Sequence, residues 1–238
     1  MDHRIVVFTV HKAASLGVYD VMRRVAMLEK WPLYSANLQN ANLIEPVRAR
    51  DREFYQQLEG KKGLVGPVRM PVALDAETIK NDRFILHLRD PRDVLVSMFY
   101  SFSFSHPGVD ESLREERRQM GVNKFALENS AQLKRKYELY IRDVLPLPRT
   151  TFLKYETFVR NRPEWMRAFL TALELNPKSW RYRLMGWRNP AAKVREENIH
   201  AHIRKAAPGD YLEKLTDETR AALNTDWEPI LTKLDYSL

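Results

Sequence analysis

Apolar, largely β-branched residues run without interruption from Ile5 to Val10. This is the pattern of a strand buried on both faces of a parallel sheet. Beyond it, from Ser15 to Glu29, the apolar positions Val18, Val21, Met22, Val25, Met27 and Leu28 fall largely at helical spacing. A helix is predicted there, with Ser15 as its N-cap and Trp31-Pro32 as its end. Leu33 to Lys62 shows little periodicity and reads as a loop, with a short helix opening in the charged stretch Arg48 to Arg52 and ending near Gly60.

Gly63 to Val68 and Arg83 to Leu88 follow as strands. Asp90 and Pro91 then supply an N-cap and a first helical residue for a run over Val94 to Phe104, which His106-Pro107-Gly108 breaks. A long amphipathic helix is expected from Asn123 to Val144, a strand from Thr150 to Lys154, a helix from Pro163 to Leu173 and a last helix from Thr216. Asn189 to Asp210 is charged with little apolar periodicity and reads as a loop or lid. Strands alternating with helices, without an internal repeat, predict an α/β fold: a central, mainly parallel sheet flanked by helices, in one domain over residues 1–238.

Composition narrows the setting more than the function. Of 238 residues, 44% are apolar and 11% aromatic, within the range of folded domains. The absence of cysteine removes disulfides and thiolate zinc sites and is compatible with a reducing cytoplasm. Met1-Asp2-His3-Arg4 leads into an apolar run too brief for a signal core or a membrane span, so a soluble, cytoplasmic protein without membrane insertion is expected. The net charge of +8 suits a polyanionic partner. Basic residues are interspersed with acidic ones, as in Glu111 to Arg118, which argues against a nucleic-acid stripe.

The chemistry concentrates at two strand ends. In a parallel sheet, ligands bind beyond the carboxyl ends of the strands, where helix N-termini offer free N–H groups and a positive dipole end. After the first strand, His11-Lys12-Ala13-Ala14-Ser15 brings a cation and a hydroxyl beside two small residues that let a phosphate approach the backbone. The sequence G-x-x-x-x-G-K-[S/T] is absent, so this is not the usual NTPase loop. After the strand Arg83 to Leu88, Arg89 and Arg92 bracket a turn carrying Asp90 and Asp93, and Ser97 lies one helical turn past Asp93. Arg89 with Ser97 is suited to a second phosphate.

This pair of segments resembles the sulfotransferase family that uses 3′-phosphoadenosine-5′-phosphosulfate (PAPS), whose 5′ loop reads approximately P-K-S-G-T-T. Lys12 and Ser15 match its Lys and first Thr. Arg89-Asp-Pro-Arg-Asp-Val-Leu-Val-Ser97 is similar to the 3′ motif, with Arg and Ser eight positions apart. Phe152-Leu-Lys-Tyr155-Glu156 resembles the strand-end Y-E whose Tyr lies near the adenine. Arg204-Lys205-Ala-Ala-Pro-Gly209-Asp210-Tyr211 resembles the R-K-G-x-x-G-D-W lid. The resemblance implies a P-loop-like sulfotransferase fold and a PAPS site built from Lys12, Ala13, Ala14, Ser15, Arg89, Ser97, Tyr155, Arg204 and Lys205. It further implies transfer of a sulfuryl group to a hydroxyl or amine of a small-molecule, glycan or lipid acceptor, with no metal.

The departures lie beside these matches. Leu16 replaces the second Thr, Gly17 stands where many members place an adenine-stacking Trp, and Ala206 replaces the first Gly of the lid. Val68-Arg69-Met70-Pro71 occupies the place of T-H-L-P, so Arg69 stands where the catalytic His is expected and is assigned to charge stabilisation or acceptor binding. The general base falls to His11, with Glu53, His106 and Glu45 as alternatives; His106, in Ser105-His-Pro, resembles an acceptor-pocket segment. Lys12 is the catalytic cation. Two other readings stay open: a kinase-like phosphotransferase, which would need Mg²⁺ ligands, and a basic protein that binds nucleic acid or glycan by charge alone.

Overall fold

The structure, a computed structural model, describes residues 3–36, 45–47, 56–70, 79–106, 108–183 and 207–238. They group into two compact units, one within Met1–Leu88 and Leu139–Arg188, the other within Arg89–Glu138 and Asn189–Leu238.

The first unit is built on a six-stranded sheet in the order β3-β2-β4-β1-β5-β6. Its strands are β1 (Arg4–Thr9), β2 (Leu33–Ala36), β3 (Glu45–Val47), β4 (Gly63–Val68), β5 (Arg83–Leu88) and β6 (Thr150–Lys154). Every pairing is parallel. β1, β4, β5 and β6 lie where the apolar runs predict them. β2 and β3 fall within the stretch read as a loop. Ser35 is 1% exposed, so a polar residue sits inside β2 and removes the apolar alternation that would announce a strand.

Helix α1 (Ser15–Glu29) follows β1. Ile5, Val7, Leu64, Ile85 and Leu153 on one sheet face form a continuous core with Val18, Met22 and Val25 of α1. On the opposite face Phe8 stacks on Phe84 at 6.4 Å between ring centroids and meets Tyr140 edge-on at 6.1 Å. At the amino ends of the strands, Arg4 donates from Nε to both Asp82 carboxylate oxygens at 3.0 and 3.1 Å. Gly66 (φ 122) lies at an irregularity in the β1–β4 pairing, where a Cβ would come within 2.5 Å of the Val7 carbonyl oxygen.

In the second unit, α2 (Pro91–Tyr100) begins as the sequence predicts. The Asp90 side chain accepts from the Arg92 N–H, and Pro91 occupies the first turn. Ser101–Ser105 continues as a π-helical turn, and α3 (Glu111–Leu139) starts earlier than the expected Asn123. Gly121 (φ 76, ψ 163) interrupts α3, which is why the apolar periodicity of its two halves does not read as one helix. In the first unit, the π-helical turn Tyr140–Val144, α4 (Tyr155–Arg160), α5 (Arg162–Ala172) and α6 (Trp180–Arg183) follow in order. α7 (Asp210–Lys214) and α8 (Asp217–Lys233) complete the second unit. The Thr216 hydroxyl caps α8 by accepting from the Thr219 N–H at 3.3 Å.

Candidate active site

The sheet order places a topological switch at β1 and β5. The chain leaves β1 toward β2 on one side and leaves β5 toward β6 on the other, which opens a crevice beyond their carboxyl ends. The register pairs Thr9 with His87, Phe8 with Val68 and Leu153 with His87. His11–Ser15, Arg69 and Tyr155 therefore all emerge at one edge of the sheet. Glu45 opens β3, three strand spacings or about 14 Å from β1, and is not part of that group. Glu53, Arg204 and Lys205 lie outside the described residues.

The turn after β1 has an unusual backbone. Lys12 (φ 66) and Ala14 (φ 56, ψ 37) are both left-handed, a conformation that costs a residue bearing a Cβ about 1 kcal/mol or more. Ala14, not the predicted Ser15, is the N-cap of α1, and it makes no side-chain cap. The capping hydroxyl expected of Ser15 is displaced because the helix begins one residue earlier than a serine cap would require. A left-handed residue followed by a right-handed one turns successive N–H groups toward a common point, an anion-binding nest. The first turn of α1 carries no acidic residue that would compete for it.

Two buried side chains hold this turn by its carbonyls. Tyr140 Oη donates to the Thr9 carbonyl at 2.7 Å. His87 Nε2 lies 3.0 Å from the Ala13 carbonyl oxygen, while Trp165 Nε1 donates to His87 Nδ1 at 3.3 Å. An indole N–H can only donate, so Nδ1 is the acceptor and Nε2 carries the proton. Burial pushes the His87 pKa down to about 3. Neither His87 nor Tyr140 stood out in the sequence, since a histidine inside an apolar strand and a tyrosine on a helix both read as core. Arg69 follows β4 directly, half-buried, and desolvation lowers its pKa. Tyr155 is buried and opens α4.

The second unit contains the segment that follows β5. Arg89 is buried, and its Nη2 lies 3.4 Å from the Asp93 carboxylate. Asp93 also accepts from the Gly209 N–H at 2.8 Å and the Tyr211 N–H at 3.0 Å, tying the end of the Arg204–Tyr211 segment to α2. Arg92, fully buried, donates from Nε and Nη2 to Asp90 at 3.0 and 2.7 Å and from Nη1 to Asn224 at 2.6 Å. Its guanidinium also lies 4.2 Å from the centroid of Tyr211. Burial pushes the Asp90 carboxyl up, against the pull of the Arg92 hydrogen bonds and charge. Arg92 is thus a structural cation. Ser97 is half-buried on α2. His106 ends the π-helical turn, where its Nδ1 accepts from the Gly108 N–H at 3.2 Å and its ring meets Phe102 edge-on at 5.4 Å.

Among the described residues no cluster of three or more potential metal ligands occurs, and no helix is long and apolar enough to cross a membrane. No protein-family model and no curated protein matches the sequence. The structure, by contrast, is similar to solved ones. A mouse sulfotransferase, SULT7A1, complexed with PAP aligns with a TM-score of 0.61 at 12% identity, over 97% of this chain and 84% of that one. Retinol dehydratase in complex with retinol and PAP aligns with a TM-score of 0.50 at 16% identity, over 99% of this chain and 82% of that one. The chain therefore has the α/β fold of the PAPS-dependent sulfotransferases.

Proposed function

We propose that the protein is a sulfotransferase, which transfers the sulfuryl group of PAPS to a hydroxyl or amine of an acceptor by in-line displacement. The observation that carries this reading is the turn after β1: a left-handed Ala14 leads into the unopposed N-terminus of α1, with Lys12 two residues before it. The mouse SULT7A1 and retinol dehydratase structures both contain PAP, the desulfated donor. The α1 N-terminus and the N–H groups of the turn bind the 5′ end of the donor, and the small Ala13 and Ala14 allow close approach. The Ser15 hydroxyl adds one donor. Arg89 and Ser97 are assigned to the 3′-phosphate, Tyr155 to the adenine, and Arg204 and Lys205 to closing over the nucleotide.

In sulfuryl transfer, negative charge grows on the departing phosphate oxygen as the S–O bond lengthens. Lys12 supplies a compact cation with three donors to meet that charge. His11, adjacent in sequence, is the proposed general base that takes the acceptor proton, with Glu53 as the alternative. Arg69 is proposed to orient the acceptor or stabilise charge, and His106 to line the acceptor pocket. Retinol and androsterone are bound in the retinol dehydratase structures. A small apolar alcohol is accordingly the first acceptor class to assay.

A thermal-shift comparison tests the reading, because a ligand that binds only the native state raises its stability by an amount set by [L]/Kd. 3′-Phosphoadenosine-5′-phosphate is expected to stabilise the protein more than AMP or ATP at equal concentration, without added metal and in the presence of EDTA. Equal or greater stabilisation by Mg-ATP would overturn the reading in favour of a phosphotransferase.

A further inference from the structure

We propose that His87 is a positioning residue for the turn after β1: by donating from Nε2 to the Ala13 carbonyl, it fixes the orientation of the Ala13–Ala14 peptide and so aims the Ala14 N–H at the anion. This inference rests on the reading of that turn as the 5′-phosphate site.

The geometry starts from the strand. His87 is the residue of β5 that pairs with Thr9 of β1, so its Cα lies beside the point where β1 gives way to the turn. The side chain is fully buried, edge-on to Phe158 and Trp165, both at 5.6 Å between centroids. Each ring nitrogen has one partner, and the two partners are opposite in kind: an indole N–H on Nδ1 and a carbonyl oxygen on Nε2. That arrangement selects one neutral tautomer. A carboxylate there would have nothing to donate, and an ammonium would have nothing to accept from Trp165.

Peptide planarity carries the effect to the anion. In a trans peptide the C=O and the following N–H point in opposite directions. Drawing the Ala13 oxygen inward to His87 therefore turns the Ala14 N–H away from the core. It also keeps the carbonyl, with its negative end, from swinging toward the anion. Ala14 (φ 56) then passes directly into α1, whose first N–H groups follow in the same direction.

The test compares His87→Leu, which removes both interactions, with His87→Gln, whose amide can still donate toward Ala13, and with His87→Phe, which keeps an aromatic ring in the core but donates nothing. Affinities for 3′-phosphoadenosine-5′-phosphate and for adenosine 3′-phosphate are measured by calorimetry, and amide hydrogen exchange is followed over residues 13–16. Loss of one hydrogen bond to a charged group corresponds to about tenfold in affinity. His87→Leu is expected to weaken the bisphosphate about tenfold or more and adenosine 3′-phosphate less than about twofold. It should also speed exchange over residues 13–16, and His87→Gln should restore both readouts. Equal losses for the two nucleotides, or unchanged exchange in the turn, would overturn the proposal. If the wild-type protein binds neither nucleotide, the functional reading fails, and the exchange pattern alone decides whether His87 orders the turn. Should His87→Leu not fold, His87→Phe decides: faster exchange over residues 13–16 supports the proposal, and unchanged exchange overturns it.

Discussion

The two strand-to-helix turns proposed to bind the ends of the donor share a buried tyrosine on a carbonyl and differ in the charge added to it. Around the turn after β1 the anchors are neutral: His87 grips the Ala13 carbonyl and Tyr140 the Thr9 carbonyl. Around the turn after β5 a neutral anchor of the same kind, Tyr137 donating to the Arg89 carbonyl, is joined by ionic ones, with Arg92 locked to Asp90 and Asp93 shared between Arg89 and the N–H groups of Gly209 and Tyr211. The difference follows from what each turn must offer. A turn that binds an anion through its own N–H groups needs no buried charge beneath it, and a carboxylate there would compete with the ligand. A turn that presents a buried arginine needs carboxylates to hold that charge in place until a phosphate shares it.

The largest expected effect lies in the chemistry rather than the scaffold. Lys12→Ala should lower kcat/KM by about 10²–10³, the usual cost of losing a group that meets transition-state charge, while Lys12→Arg recovers only part because its planar fork is a poor substitute for a compact ammonium. Steady-state kinetics with PAPS and a phenolic or alcoholic acceptor would show it.

Asp90→Ala comes next. It leaves Arg92 buried without its bidentate partner and should destabilise the fold by about 3–5 kcal/mol, read from urea unfolding. Tyr140→Phe, which orphans one carbonyl in the neutral turn, should cost about 1–3 kcal/mol in the same assay. Equal costs for the two variants would erase the distinction between the anchors.

Acid separates the two anchors in another way. The unfolded chain protonates a histidine near its ordinary value of 6.5, whereas His87 in the fold stays neutral down to about 3. Between those values the unfolded state binds the extra proton. The contribution of His87 is therefore complete above pH 6.5 and declines as pH falls toward 3, by at most about 1.4 kcal/mol per unit. Comparing the pH dependence of urea unfolding in the wild type and in His87→Gln isolates it, because the variant should lose that slope. The smallest effect is expected from Asp20, whose half-exposed pairs with Arg23 and Arg24 should be worth about 1 kcal/mol or less, with Asp20→Asn barely moving the Tm.

Much of this arrangement was legible in the chain. Continuous apolar runs mark strands buried on both faces, and β1, β4, β5 and β6 appear with bounds within a residue of those runs. Asp90-Pro91 announced the start of α2 because a cap and a first-turn proline act locally. The left-handed Ala14 cap was not legible, because nothing in an alanine signals a positive φ that the surrounding turn imposes. His87 and Tyr140 were missed for a related reason. Their roles arise from partners 74 and 131 positions away, a distance at which a single sequence carries no pattern.

Gly17 shows how such long-range packing limits what a position can hold. A Cβ at this position would approach Phe158 Cζ to 3.0 Å. The Phe158 ring cannot easily yield, since it is clamped edge-on by Trp165 at 4.7 Å, by His87 at 5.6 Å, and by the Arg162 guanidinium at 3.7 Å from its centroid. An aromatic residue at 17 is therefore accessible only in concert with a smaller one at 158. The size of the side chain at 17 is thus set by a ring held from three sides, so Gly17 and Phe158 are coupled through one shared space.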